Sequence, residues 1–275
     1  MKELYIPDGM GAEQALARTT DLCIAAHQDD IEIMAYAPII QCYGKADRHF
    51  TGVCVTDGAG SPRSGVYADY TDEDMKTVRA QEQKQAASVG KYAAQYLLAK
   101  PSSEVKDANN AALVNELREI ILACQPDVIY THNLADKHDT HVAVALQVIR
   151  ALRGIPADKR PKKVIAMEVW RSLDWLCDDE KIACDTSAHP NVAAALLGVY
   201  DSQITGGKRY DLATIGRRLA NATFFASHDV DDTDSLAFGL DMTALIDSNA
   251  DPVAFIQGYI DQFAQDVRER IGKLS

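Results

Sequence analysis

Long apolar runs are missing from this chain. Nothing in its 275 residues approaches the roughly 18 consecutive apolar residues that a membrane span requires, and the opening segment MKELYIPDGMGAEQALARTT holds no apolar stretch of signal-peptide length. A soluble, cytoplasmic protein without a membrane partner is the expectation. Positive charge is scarce as well: 28 Lys and Arg stand against 40 Asp and Glu, a formal net charge of -12. Clustered cations are what displace counterions from a phosphate backbone, so nucleic acid is excluded as a partner. The six cysteines form no CxxC pair, which argues against a redox motif or a thiolate metal site and leaves small buried hydrophobes in a reducing compartment. Internal repeats, low-complexity tracts and a convincing linker are also lacking. One domain spanning residues 1–275 is expected, with a core over about 20–175 and a less regular part over 176–275.

What is present is an alternation of short apolar runs and longer helical patterns. DLCIAA at 21–26, FTGVCVTD at 50–57, QYLLA at 95–99, DVIYTH at 127–132 and KVIAMEVW at 163–170 read as strands. Helical patterns lie between them at Ile31–Tyr43, from Thr71 as N-cap through Val89, at Asn109–Cys124 and at Thr140–Leu152. This order predicts an α/β, Rossmann-like three-layer fold with a mostly parallel central sheet. Near the C-terminus, Ile256, Ile260, Phe263, Val267 and Ile271 recur at helical spacing, predicting an appended amphipathic helix that packs on the body or on another copy, which leaves a homo-oligomer open.

The first strand runs into AAHQDDIE, where a nucleotide-binding fold would carry a GxGxxG turn. His27, Asp29 and Asp30 thus fall at the carboxyl end of a parallel strand, the place where open sheets bind ligands. Imidazole and carboxylate suit zinc, and a catalytic zinc keeps three protein ligands, so a third partner is required. Adjacent carboxylates point different ways, which allows one to bind metal while the other acts as a base. The fourth strand runs into NLADKHDTH, bringing Asp136, His138 and His141 to the same edge. Spaced three apart at a helix start, His138 and His141 share a face, so one can ligate metal and the other sit beside a reacting carbonyl.

The AHxDDxE turn at 26–32, VTDG at 55–58, Arg79 and Glu82 on the following helix, HxxH at 138–141 and the pair Ser202–Gln203 resemble the PIG-L/LmbE-like deacetylases. These are the relatives of N-acetylglucosaminyl-phosphatidylinositol deacetylase, including enzymes of mycothiol and bacillithiol synthesis. The resemblance implies a Rossmann-like hydrolase that removes acetyl from an N-acetylated amino sugar, usually with Zn²⁺, with Fe²⁺ as an alternative ion. It assigns the metal to His27, Asp30 and His141, the general base to Asp29, stabilisation of the tetrahedral intermediate to a protonated His138, and substrate binding to Arg79. A surface ion pair with Glu82 is the competing reading of Arg79. Two positions depart from the pattern: Gln28 replaces a proline, and Thr140 replaces an Asp that orients a neighbouring histidine.

Trp170, Arg171, Asp174 and Trp175 follow the fifth strand and are candidates for a sugar-stacking wall, with apolar packing as the alternative for the two tryptophans. The expected partner is a small-molecule N-acetylated sugar. The rival functions are a metal-dependent hydrolase of another small N-acyl amide and an inactive relative that binds metal and sugar without releasing acetate.

Overall fold

The computed structural model describes residues 2–275. Eight strands form one sheet: β1 (Glu3–Tyr5), β2 (Asp21–Ala25), β3 (Phe50–Thr56), β4 (Ala94–Lys100), β5 (Val128–His132), β6 (Lys163–Met167), β7 (Ile182–Asp185) and β8 (Leu236–Asp241). Their order across the sheet is β1-β4-β3-β2-β5-β6-β8-β7. The five strands from β4 to β6 are parallel, as expected, and β1, β8 and β7 add antiparallel pairs at the two edges.

Strand pleating divides the core into two layers. Leu22 and Ile24 of β2 point into one apolar cluster, with Leu113, Leu117, Ile121, Val144 and Val148 from the helices Ala111–Cys124 and Asp139–Arg153. Cys23 and Ala25 point into the other, with Ile31, Ile39, Ala86 and Leu196 from helices on the opposite face. Each fully buried Leu or Ile contributes about 1.5–3 kcal/mol, so the two clusters fix the α/β/α layering. No helix among the described residues is long and apolar enough to cross a membrane.

Two local features differ from the sequence expectation. The helix expected over Ile31–Tyr43 is two helices, Asp30–Met34 and Tyr36–Cys42, broken at Ala35 with φ -111° and ψ 27°. Pro38 is the cause: it has no N–H to give to the carbonyl of Met34, and its ring would clash there. Strands β7 and β8 lie in the part expected to be less regular. The C-terminal helix forms over Pro252–Leu274 and has no fully buried residue; Phe255, Ile256 and Tyr259 are half-buried against the core, while Val267 and Ile271 are exposed. Thr71 caps the helix Asp72–Val89 as expected, in a reciprocal box with Asp74.

Between β2 and β5 the chain's direction of travel across the sheet reverses. From β2 it proceeds to β3 and β4 on one side, and then to β5 and β6 on the other. The carboxyl ends of β2 and β5 therefore bound the crevice in which such sheets bind ligands.

Candidate metal centre and active site

The turn after β2 separates the two acids. Asp29 has φ 91° and ψ -30°, a conformation that costs a non-glycine residue about 1–3 kcal/mol. Asp30 begins the next helix, and its Oδ2 accepts the His27 N–H at 2.7 Å and lies 3.1 Å from His27 Nδ1. Asp29 instead turns its Oδ2 to Arg79 Nη2 at 3.0 Å, and Oδ1 accepts no hydrogen bond among the described residues. The helix Asp30–Met34 has only five residues, and Arg218, buried and distant in sequence, donates to the carbonyls of Glu32 at 2.7 Å and Ile33 at 3.1 Å.

The loop after β5 is ordered by Asp136. Its Oδ1 accepts the His138 N–H at 2.9 Å, and its Oδ2 lies 3.1 Å from His141 Nδ1. That contact holds one His141 proton on Nδ1 and turns Nε2 inward, where a bound metal would displace its proton. Sequence reading gave Asp136 no role of its own; the orienting carboxylate that it sought at position 140 is supplied from position 136. Gln28, in place of proline, restrains its turn by donating to Thr56 O at 3.0 Å. Beside it, Gly58 of the VTDG segment has φ +78°, and a Cβ there would meet Gln28 Oε1 at 2.8 Å and Arg79 Cβ at 2.9 Å.

These turns bring His27, Asp30 and His141 together. His27 Nδ1 lies 3.1 Å from His141 Nε2, and Asp30 Oδ2 lies 3.3 Å from the same nitrogen. Bonds of about 2.0–2.1 Å to a tetrahedral ion space its ligands by about 3.3 Å, so the three atoms fit a divalent cation. Donor atoms fall within 4.8 Å of one another in two overlapping sets, His27–His138–His141 and Asp30–His132–His141. His132, a completely buried residue that the sequence reading passed over, stacks on His141 at 3.9 Å. Its Nε2 accepts the Ala26 N–H at 2.9 Å, which uses the lone pair that a metal would need. His138 Nδ1 is likewise occupied, accepting the Thr140 N–H at 3.3 Å. The strand-end position of His132, shared with the residues beside β2, was the signal that could have flagged it.

Electrostatics agree with a cation site. Burial opposes charge on His141, but Asp30 and Asp136 outweigh it and push its pKa up to about 10. Burial also disfavours charge on Asp30, yet His141 and His27 hold it well below the usual carboxylate range. Asp29 goes the other way, to about 6, because burial outweighs the opposing pull of Arg79. His138 is lowered by burial and by His141 and His27, which disfavours the protonated form that the resemblance implies.

Arg79 takes a different place from both sequence readings. It is 2% exposed, donates through Nη1 to Glu82 Oε2 at 2.9 Å and Ser202 Oγ at 3.3 Å, and donates through Nη2 to Asp29 and the carbonyl of Gln28. With both terminal nitrogens committed to the protein, it is a positioning residue behind Asp29. The Glu82 pair exists but is buried, and Glu82 in turn accepts the Ser202 N–H and hydroxyl, each at 2.7 Å. Gln83 extends the network, accepting the Asp29 N–H at 3.3 Å and donating to Glu32 at 3.0 Å.

All six predicted site residues line one cavity of about 400 Å³, together with Trp170, Lys106, Lys208 and Tyr210. That volume suits a small molecule. Of the four residues expected to form a wall, Trp170 alone lines the cavity, its ring parallel to His138 at 6.5 Å. Trp175 packs on the core instead, and Arg171 donates to the carbonyl of Ala135.

Residues 22–152 match the family described as PIG-L: GlcNAc-PI de-N-acetylase. No curated protein matches with significance. Among solved structures, the chain is similar to the conserved protein TT1542 from Thermus thermophilus, with a TM-score of 0.64 and 16% identity over 82% of this chain and 94% of that one. N,N'-diacetylchitobiose deacetylase from Pyrococcus horikoshii gives 0.63 and 15% over 84% and 86%. GalB, the 4-carboxy-2-hydroxymuconate hydratase from Pseudomonas putida, gives 0.60 and 15% over 82% and 96%. At these identities the likeness is one of fold. The residues matched to the PIG-L, GlcNAc-PI de-N-acetylase, family are the ones that carry His27, Asp29, Asp30, Arg79, His138 and His141.

Proposed function

We propose that this protein is a metal-dependent hydrolase that removes the acetyl group from an N-acetylated amino sugar, releasing acetate and a free amine. The observation that carries the reading is the meeting of His27, Asp30 and His141 donor atoms at 3.1–3.3 Å, with Asp29 and His138 lining the same cavity. His27, Asp30 and His141 would hold a divalent ion, zinc in the first place, which would supply Lewis-acid activation of the attacking water and of the acetamide carbonyl. Asp29 is suited to take the proton of the attacking water: Arg79 fixes one of its oxygens, the other has no partner among the described residues, and its pKa near 6 lies close to neutrality. The leaving nitrogen needs a proton, and Asp29 returns the one it took. His138, its Nδ1 tied to Thr140, presents Nε2–H to the developing oxyanion.

A hydratase shares this fold, so acetate release, and not architecture, is the criterion. The test is acetate release from N-acetylglucosamine derivatives and N-acetyl amino acids, using metal-stripped protein with and without added Zn²⁺. Zinc-dependent release from the sugars is expected. Asp29→Asn should abolish turnover with zinc retained, whereas His141→Ala should lose zinc. An Asp29→Asn protein that kept most of its activity would overturn the base assignment. Tight zinc binding without release from any compound would favour an inactive relative.

A further inference from the structure

A glutamine enclosed in a core must place two donors and an acceptor oxygen, and Gln83, completely buried on the helix Asp72–Val89, does so. Its Nε2 donates to Glu32 Oε1 at 3.0 Å and to Gln95 Oε1 of β4 at 3.4 Å. Its Oε1 accepts the Asp29 N–H at 3.3 Å and lies 2.9 Å from the Tyr200 hydroxyl, which is also 2.6 Å from Glu32 Oε2. The amide cannot lie the other way round. Gln95 Nε2 donates to the carbonyl of Tyr96 at 2.9 Å, so its Oε1 is the atom that faces Gln83. A turned Gln83 would set an oxygen against two oxygens, and its NH2 group against the Asp29 N–H.

The cluster thus converges on one backbone group of the site. The Asp29 N–H has no acceptor other than Gln83 among the described residues, and Asp29 makes no side-chain cap bond to the helix that it precedes. At φ 91° it has a conformation that persists only where the surroundings hold it. Two grips do this: Arg79 Nη2 on the side chain at 3.0 Å, and Gln83 on the backbone. We propose that Gln83 is a positioning residue for the hydrolysis, fixing the backbone of Asp29 so that its carboxylate stands in the cavity, and that Tyr200 steadies the Gln83 amide. The role rests on the reading of Asp29 as the base. Gln83 is completely buried, Tyr200 is 2% exposed, and neither lines the cavity, so neither touches substrate. Their effect falls on the chemical step and not on binding.

The test uses Gln83→Met, which keeps the length of the side chain and removes its hydrogen bonds, and Tyr200→Phe, which removes one hydroxyl and leaves the Asp29 bond in place. Acetate release from N-acetylglucosamine derivatives is measured on the zinc-loaded proteins, and amide exchange by NMR on the metal-free ones. Misplacing a reacting group by about 1 Å costs on the order of 10²-fold in rate. Gln83→Met should therefore lower kcat by about 10–100-fold with KM within about twofold. Its Asp29 amide should exchange about 5–10-fold faster, the worth of one hydrogen bond, while the Ile24 amide in β2 keeps the parent's rate. Tyr200→Phe should shift kcat and Asp29 exchange the same way by less, and it carries the test where Gln83→Met does not fold. A merely structural glutamine would lower the unfolding midpoint and speed exchange throughout, with kcat per folded molecule unchanged. That result, a rise in KM at constant kcat, or unaltered Asp29 exchange in the folded variants overturns the proposal. A parent that releases no acetate from any of the sugars overturns the deacetylase reading instead, and Asp29 exchange alone then decides whether Gln83 holds the turn.

Discussion

Replacing Arg79 by Met keeps a long apolar stem in a fully buried position and deletes the guanidinium that joins Asp29 to Glu82. Four acceptors lose a partner: Glu82 Oε2, Ser202 Oγ, Asp29 Oδ2 and the carbonyl of Gln28. Glu82 retains two bonds from Ser202, whereas the Asp29 carboxylate keeps none. Removing one partner of a buried ion pair costs about 3–5 kcal/mol, because the remaining charge stays out of water. Against a typical total stability of about 5–15 kcal/mol, such a variant should fold with a thin margin. Arg79→Lys should recover only part of the loss, since one ammonium cannot span both carboxylates as the planar fork does. Urea unfolding of the metal-free proteins at pH 8 measures both changes. A surface ion pair would cost less than about 1 kcal/mol, and an arginine that only held substrate would raise KM with the unfolding midpoint unmoved. A loss below about 1 kcal/mol for Arg79→Met would refute the positioning role.

Asp136→Asn should weaken zinc binding by about 10–100-fold, the usual consequence of losing the carboxylate that orients a ligating histidine. Competition against a chromophoric chelator measures it, and an unchanged affinity would remove Asp136 from the centre. Glu168 offers a stability test outside the donor cluster: burial raises its pKa to about 7, against the opposing bond from the Leu173 N–H. A raised acid leaves the folded state holding more protons than the unfolded state between about 4.5 and 7. Stability is therefore fully present below that window and lost as pH rises through it, by up to about 3 kcal/mol. Glu168→Gln should lack this loss, so its stability relative to the parent should rise between pH 4.5 and 8 in urea titrations. Parallel pH curves for the two proteins would contradict the assignment.

The parallel core was legible because its strands are continuous apolar runs and its helices carry strong start signals, such as Thr71 with Asp74 three residues on. The two halves of the cluster could be placed at one sheet edge because parallel strands leave their carboxyl ends together. What stayed hidden has specific causes. The helix Asp72–Val89 buries Arg79, Glu82 and Gln83 beside Met75, Ala86 and Ala87, and a buried face that is half polar has no apolar period to read. Strand β8 contains Gly239, where a Cβ would strike Ile165 Cγ2 at 2.6 Å; a glycine inside a short strand blurs the pattern while serving close packing. Strand β7 has no fully buried residue. The break at Ala35 was written in Pro38, but an apolar periodicity running on both sides of it masked the stop.

The bond from Arg218 to the carbonyls of Glu32 and Ile33 bears on the order in which the molecule assembles. A five-residue helix has no stability of its own, since isolated helices below about 12–15 residues are marginal in water. Asp30 opens this one, so its placement depends on a side chain up to 186 positions later in sequence. Long-range contacts form late because loop closure precedes their reward. The sheet can therefore assemble before its metal-binding turn is locked, and the turn acquires its final shape only when the segment around residue 218 docks. Amide exchange should accordingly report Asp30–Met34 opening together with the helix Tyr210–Phe224, while β2 immediately before it stays closed.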